Sequence, residues 1–371
     1  MNNPDTLTKY KTAAQISQKV LQDVLGLCIE GETIISVCEK GDKILEEETS
    51  KVYKGKKILK GKKSFLQSCC NIGLEMWLVL NILQSGISHP TTVSPSSYVT
   101  PYTPLASDVE EAATKLSAGD VIKVQLGAQI DGLGTIVCDN IVVAPKDGKA
   151  DIDEKTADLL LATHYANELL LRLMLPAGLL DPGTEEEKKA KSSSAKPFSS
   201  TRATNLLQKV AETYGCNLVE GTTSWLFERN EIEGKKKFFL SPSEGMKPEG
   251  IPEVGDVWGI EVALSLGTGK IKTLTNRPTL HRRTTTTYAL KRPTARQMLS
   301  EIVKKFGTFP FSLRQLDDER AAKMGVLECV RANVLRQYEV VADKDGALVA
   351  RVFSTIGEFS IEWEETLVAD V

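Results

Sequence analysis

Two residues at equivalent positions of a repeated segment are candidates for metal chemistry. The stretch from Ala118 to Gly127 is echoed by that from Val254 to Ala263, and each contains Gly-Asp-Val followed by a strand-like run. At equivalent positions the first copy has Gln125 and the second has Glu261. A site shared by two such copies would need an anionic oxygen from each to hold divalent cations. The repeat therefore predicts a duplicated enzyme scaffold whose metal site has been dismantled.

Residue types suited to other catalytic sites are few. Only three histidines and seven scattered cysteines occur, without a Cys-x-x-Cys pair. This usage is typical of reduced, buried thiols and not of a thiolate zinc site. Gly267-Thr268-Gly269-Lys270 is like the end of a phosphate-binding loop, but Ile271 stands where serine or threonine would bind magnesium. This segment is therefore interpreted as a turn.

A basic region is the best candidate for ligand binding. Between residues 270 and 305, ten lysines and arginines are opposed only by Glu301, although the whole chain has a net charge of -3. Such a local excess can contact nucleic-acid phosphates, with His281 and Tyr288 able to stack on bases. A solvated loop that compensates acidic neighbours explains the same pattern equally well. The residues assigned to nucleic-acid or ribosome binding are Lys270, Lys272, Arg277, Arg282, Arg283, Lys291, Arg292 and Arg296.

The elements that must position these residues come as helices followed by strands, twice over. Apolar periodicity predicts helices over residues 8–28, 33–53, 151–175 and 201–214. Runs rich in valine and isoleucine predict strands at 121–126, 135–143, 257–266, 338–342 and 347–356. Asp343-Lys344-Asp345-Gly346 is expected to join the last two strands as a hairpin. This order favours an α+β fold with internal duplication.

The composition indicates the class of protein, and two segments differ from the rest of the chain. A hydrophobic fraction of 41% and a charged fraction of 26% are typical of a soluble globular protein. Residues 184–200 are charged and rich in serine, which predicts a solvated connector. Residues 61–85 are much more apolar than their surroundings, yet the run from Cys69 to Leu83 is shorter than the ~20 residues of a membrane span.

Several motifs resemble one known family. They include Lys51-Val52-Tyr53-Lys54-Gly55-Lys56-Lys57, Thr103-Pro104-Leu105, Gly119-Asp120-Val121 and the block from Phe309 to Cys329. Over nearly its whole length the chain closely resembles the proliferation-associated or ErbB-receptor-binding proteins, whose fungal members include a curved-DNA-binding protein. Their wider superfamily is the type 2 methionine aminopeptidases. The resemblance implies a single pita-bread domain over residues 1–371, with pseudo-twofold symmetry and a basic insert domain at 268–308.

The resemblance also implies where active relatives hold two metal ions. Their ligands are two aspartates, one histidine and two glutamates, and a further histidine lies near the substrate. The corresponding positions here are Gln125, Ile136, Thr222, Glu261 and Phe353, with Pro101 on the substrate side. One carboxylate cannot neutralise two divalent cations, and Asp139 is the only other acid nearby. We therefore expect no metal, no cofactor and no peptidase activity, with Glu261 as a hydrogen-bonded remnant.

The function implied by the resemblance is non-catalytic. It is binding of nucleic acid (RNA or curved DNA) or of ribosomes, in ribosome biogenesis, translation or growth regulation. A residual metal-dependent methionine aminopeptidase and a module that holds a peptide in the vacated cleft are the alternatives. A monomer without membrane association, in the cytoplasm and the nucleus or nucleolus, is expected. Because relatives lack residues 61–84, that apolar insertion is interpreted as a retained intron or gene-model error.

Overall fold

The computed structural model describes residues 3–52, 85–146, 148–175, 184, 187, 199–242 and 250–357. The insertion at 61–85 and the connector at 184–200 therefore lie almost wholly outside the described residues. The helices are α1 (Pro4–Leu25), α2 (Ile34–Lys51), α3 (Val109–Ala112), α4 (Glu154–Met174), α5 (Ser200–Thr213), α6 (Pro293–Lys305) and α7 (Glu319–Arg331). In the part of the chain described, no helix is long and apolar enough to span a membrane.

The strands of the described residues fall into three sheets. They are β1 (Ser85–Pro95), β2 (Val121–Ile130), β3 (Leu133–Gly134), β4 (Val137–Val142), β5 (Asn217–Leu218), β6 (Thr223–Phe227), β7 (Lys237–Phe239), β8 (Val257–Ser265), β9 (Ile271–Thr273), β10 (Leu280–Arg283), β11 (Phe311–Ser312), β12 (Leu335–Gln337), β13 (Val341–Asp343) and β14 (Val349–Gly357). The main sheet has the order β1-β2-β4-β14-β8-β6-β7, with β3 on β2 and β5 on β8. Its named strand pairs are antiparallel.

The echoed segments form the two related halves of this sheet. β2 with β4 and β8 with β14 are equivalent pairs that meet where β4 pairs with β14. Helices α1 and α2 pack on the first half, and α4 and α5 pack on the second. The internal duplication predicted from the repeat is therefore confirmed as an α+β pita-bread architecture.

Local sequence signals determine where the major helices begin. Asn3 caps α1, with its side chain accepting a hydrogen bond from the Asp5 amide, and Pro4 occupies the first helical position. Thr33 and Asp153 cap α2 and α4 in the same way. Each helix pair then buries an apolar face against the sheet, which is the main source of its stability.

A smaller unit covers one side of the main sheet. Its sheet has the order β11-β10-β12, and α6 packs on α7 around a separate apolar core. The unit extends from about residue 280 to 337, so the expected range of 268–308 covers only its first part. Strand β9 belongs instead to a two-stranded sheet with β13.

The expected hairpin between residues 338–342 and 347–356 is wrong. Gly346 does form a turn with a positive φ of 73°, donating its amide to the Asp343 carbonyl at 3.1 Å. However, β13 pairs with β9, whereas β14 pairs with β8 and β4. The chain therefore moves from one sheet to another across this turn, because both strands find longer-range partners.

Arg314, from the family-like block, fastens the small unit to the first half of the fold. Its guanidinium is buried and forms an ion pair of 2.8 Å with Asp42 of α2. It also donates to Thr103 Oγ1 at 2.8 Å and to the Thr91 carbonyl at 2.9 Å. A buried charge is tolerated only with such partners, so this block holds the small unit over the sheet.

Candidate functional site

The sheet register places four side chains in one row across the centre of the fold. Gln125 on β2 pairs with Cys138 on β4, Cys138 pairs with Phe353 on β14, and Phe353 pairs with Glu261 on β8. Paired residues in antiparallel strands project from the same face of the sheet. The two symmetry-related residues, Gln125 and Glu261, therefore lie at opposite ends of this row.

Three residues of this row, Gln125, Phe353 and Glu261, line a cavity of about 280 Å³ between the main sheet and the small unit. Its lining includes all six positions that the sequence analysis assigned to the former metal and substrate groups, namely Pro101, Gln125, Ile136, Thr222, Glu261 and Phe353. Much of the remaining wall is apolar and includes Trp225, Phe227 and Leu280. The six positions are thus brought together, as a common site requires.

Arg351 is a cavity residue that the sequence analysis missed. It lies two residues before Phe353 on the same face of β14, and only 2% of its side chain is exposed. Its Nη1 donates to Glu261 Oε1 at 3.1 Å. Burial raises the pKa of Glu261 above its usual value, while the nearby guanidinium opposes this rise. Glu261 is the one carboxylate left at the five former ligand positions, and it is therefore engaged by a cation of the protein itself.

His89 on β1 is a second missed residue, and its hydrogen bonds define its neutral form. Its Nδ1 lies 2.8 Å from the Pro90 carbonyl, which can only accept, so Nδ1 carries the proton. Burial lowers the pKa of His89 to about 3, so the other ring nitrogen is an acceptor at neutral pH. The Gln125 amide nitrogen donates to that Nε2 at 3.0 Å. Consequently Gln125 Oε1 is left without a donor among the described residues.

The residues present do not fit a dinuclear metal site. Gln125, Thr222 and Ile136 supply no anionic oxygen, and the Glu261 carboxylate already binds the Arg351 guanidinium. A cation held next to divalent metal ions would add repulsion where negative ligands are needed. Within the described ranges, no group of three or more His, Cys, Asp or Glu is positioned to hold a metal.

Asp139, the nearby acid noted from the sequence, does not reach this cavity. It lines a separate cavity of about 220 Å³, together with His164 and Asn167. Burial raises the pKa of Asp139. Asp139 therefore does not restore the depleted ligand set.

Arg282 lies beside the cavity, where it contacts the lining residue Glu233. Its side chain is 11% exposed and forms ion pairs with Glu231 and, at 3.1 Å, with Glu233. Glu233 also pairs with Arg336 and accepts a hydrogen bond of 2.7 Å from the Tyr338 hydroxyl. Arg282 thus joins the small unit to the β6–β7 connection, and its guanidinium is engaged by acidic groups of the protein itself rather than exposed as the predicted nucleic-acid surface requires.

Other residues of the predicted basic surface differ from one another in exposure. His281 is 1% exposed and burial lowers its pKa to about 4, so it cannot stack on a base as proposed. Tyr288 is half exposed and remains accessible. Arg283 is only partly exposed, and Arg277 lies 3.5 Å from an Asp108 oxygen.

The exposed basic residues fall into two groups. Lys270 and Lys272 lie by β9, where Lys272 Nζ donates to the Lys344 carbonyl at 2.9 Å. Lys291, Arg292 and Arg296 surround the beginning of α6 and are exposed. Arg277 is exposed as well, and of the two groups the second is the denser.

The arrangement of the two sheet halves and their helices is the pita-bread fold, which methionine aminopeptidases share. A methionine aminopeptidase from Thermotoga maritima shares this fold, at 14% identity and a TM-score of 0.54, covering 96% of this chain and 94% of that one. No family model matches the chain.

Two proteins that are more similar in sequence show to which family the chain belongs. The curved DNA-binding protein of Schizosaccharomyces pombe is 34% identical over 362 residues, covering 96% of this chain and 81% of that protein. The solved "Structure of a thermophilic Arx1" is 56% identical with a TM-score of 0.84, covering 97% of this chain and 90% of that one. The chain therefore belongs to the proliferation-associated family that includes the curved DNA-binding protein, as the motifs had indicated.

Proposed function

We propose that this protein is a non-catalytic member of the methionine aminopeptidase fold that acts by binding nucleic acid or ribosomes. The observation that carries the non-catalytic part is the ion pair between Arg351 and Glu261 in the cavity. A cation of the chain engages the one carboxylate left at the five former ligand positions, so these positions offer no ligand set that could activate a water molecule.

The exposed group at the beginning of α6 supports the binding part. Lys291, Arg292 and Arg296 are consecutive or one turn apart, so their charges are close together. Glu328 accepts the amides of Lys291 and Arg292, at 2.5 Å and 3.0 Å, which holds this turn in place. A fixed cluster of exposed cations is suited to phosphate groups. The name of the curved DNA-binding protein, a relative across nearly the whole chain, agrees with such a ligand.

A charge-reversal experiment tests this assignment. Lys291→Glu, Arg292→Glu and Arg296→Glu are combined, and binding to ribosomes, RNA and curved duplex DNA is measured at several salt concentrations. If all three residues contact phosphates, log K against log salt should become shallower by roughly 2 to 3, since each contact contributes about 0.7 to 0.9. Arg202→Glu with Lys209→Glu on α5 is the control, because both residues are exposed on a helix that packs on the second half of the main sheet. Equal loss in the control, or no loss in the triple variant, contradicts the surface.

The same experiment separates the possible ligands. Preferential loss of ribosome binding favours a role in ribosome biogenesis or translation, whereas loss on curved DNA alone favours a nuclear role. We propose that the protein is monomeric and is present in the cytoplasm and the nucleus or nucleolus. Sedimentation analysis and imaging of the tagged chain test these two points.

A further inference from the structure

The inner end of the cavity contains hydrogen-bonding groups that lack partners. Arg351 is 98% buried as a side chain, since 2% is exposed, and only its Nη1 has a carboxylate partner. No hydrogen-bond acceptor is found for its Nε and Nη2 among the described residues. Leaving a buried donor unpaired costs the free energy of desolvation, and more when the group is charged.

Gln125 has an unpaired hydrogen-bond acceptor in the described part of the chain. Because the His89 ring fixes the Gln125 amide nitrogen as the donor, Gln125 Oε1 is a free acceptor within the cavity lining. Only 4% of Gln125 is exposed. The cavity therefore offers guanidinium N–H donors on β14 and an amide oxygen on β2.

The Arg351 and Glu261 charges of the inner end balance each other, so it is the unpaired guanidinium donors that suit an anion better than a cation. The Glu261 carboxylate is bound to Arg351, and Glu233 at the rim accepts from Arg282, Arg336 and Tyr338. Burial lowers the pKa of Lys123, one row away on β2, and that of His89. This favours the neutral form of both side chains, so neither supplies a second positive charge. Glu220 is the lining carboxylate without such a cationic partner in the described chain, so an amine probe is needed as a comparison.

We propose that this cavity binds a carboxylate that lies next to an apolar side chain, as at the C-terminal residue of a peptide or in an N-acylated apolar amino acid. The carboxylate would accept from Arg351, because guanidinium N–H groups match carboxylate oxygens in pairs. An adjacent amide N–H would donate to Gln125 Oε1, and the apolar side chain would contact Phe227, Phe353 and Ile136. This inference does not depend on the proposed nucleic-acid surface.

Calorimetric titration of the full chain tests the proposal. N-acetyl-L-leucine has the carboxylate but no free amine, whereas L-leucinamide has the amine but no carboxylate. Saturable binding of the first without the second is expected. A peptide acetyl-Gly-Gly-Leu and its C-terminal amide are added to identify the source. Tighter binding of the free-acid peptide than of N-acetyl-leucine assigns a peptide C-terminus, and equal binding assigns a small acid.

Two variants show whether the ligand occupies this cavity. Arg351→Gln combined with Glu261→Gln removes the guanidinium without leaving a lone buried charge, and should weaken N-acetyl-leucine about tenfold or more. Pro101→Trp fills the cavity from a half-buried loop while keeping Arg351, and should abolish binding. Binding unaffected by both changes, equal binding of leucinamide, or no saturable binding overturns the proposal.

Discussion

Removing the Glu261 carboxylate alone should strongly destabilise the protein. In Glu261→Gln, the Arg351 cation stays in place with 2% of its side chain exposed and without its ion-pair partner. Removing one member of a buried pair costs about 3 to 5 kcal/mol, because the remaining charge has lost its solvation and its partner. Glu261 is 19% exposed, so the lower part of this range, about 3 kcal/mol, is expected.

The double variant separates this cause from simple loss of packing. Glu261→Gln combined with Arg351→Met leaves no uncompensated charge, and an apolar replacement of a buried pair is often neutral. We therefore expect the double variant to regain most of the free energy of unfolding lost in Glu261→Gln. The coupling between the two substitutions should be at least 1 kcal/mol, as is common for residues in contact.

Urea unfolding followed by circular dichroism measures these differences. With a slope of about 3 kcal/mol per M, the Glu261→Gln midpoint should fall by about 1 M. Glu220→Gln is the control, since Glu220 also lines the cavity but has no cationic partner in the described chain, and a change within about 0.5 kcal/mol is expected. Equal effects of Glu261→Gln and Glu220→Gln, or additive effects in the double variant, would refute the ion-pair argument.

Three further changes test other parts of the structure. Burial lowers the pKa of His89 to about 3, so the stability present above about pH 6.5 is lost as pH falls towards 3. Between pH 6.5 and 5 the wild type should lose about 2 kcal/mol more than His89→Gln, and equal pH slopes of unfolding free energy would contradict this. Arg282→Gln leaves Glu231 without its cation and Glu233 with Arg336 alone, and should lower the unfolding free energy by about 3 kcal/mol, while the salt dependence of nucleic-acid binding stays unchanged. A weaker salt dependence in that variant would return Arg282 to the binding surface. Gly259→Ala should lower the thermal midpoint, because a Cβ there would lie 2.3 Å from the Phe227 ring and overpacking costs about 1 to 3 kcal/mol. An unchanged midpoint would contradict this, because it would show that the Phe227 ring can move aside without cost.

The sequence was informative where the physical signal is local or repeated. The echo of the Gly-Asp-Val segments predicted the duplication, since each copy forms a central strand of the sheet. The motif order located the five former ligand positions and the one substrate-side position, all of which line one cavity. Helices α1, α2, α4 and α5 followed from their apolar periodicity and lie within a few residues of the expected bounds.

The sequence was uninformative where a side chain finds a distant partner. Arg351 lies 90 residues from Glu261 in the chain, and Arg282 lies 49 residues from Glu233. A cluster of arginines and lysines has the same composition whether its members are exposed or buried in ion pairs. Arg282 was therefore assigned to the surface, and Arg351 was overlooked between the apolar residues of a strand.

Metal analysis of the purified full chain, together with a methionine-release assay, tests whether the cavity has lost its metal chemistry. The protein is incubated with manganese, cobalt or zinc, freed of excess ion, and assayed on a peptide with N-terminal methionine. Because Arg351 engages the one carboxylate left at the five former ligand positions, we expect far less than one metal ion per chain and no release of methionine. Stoichiometric metal with methionine release that is abolished by Glu261→Gln would contradict it.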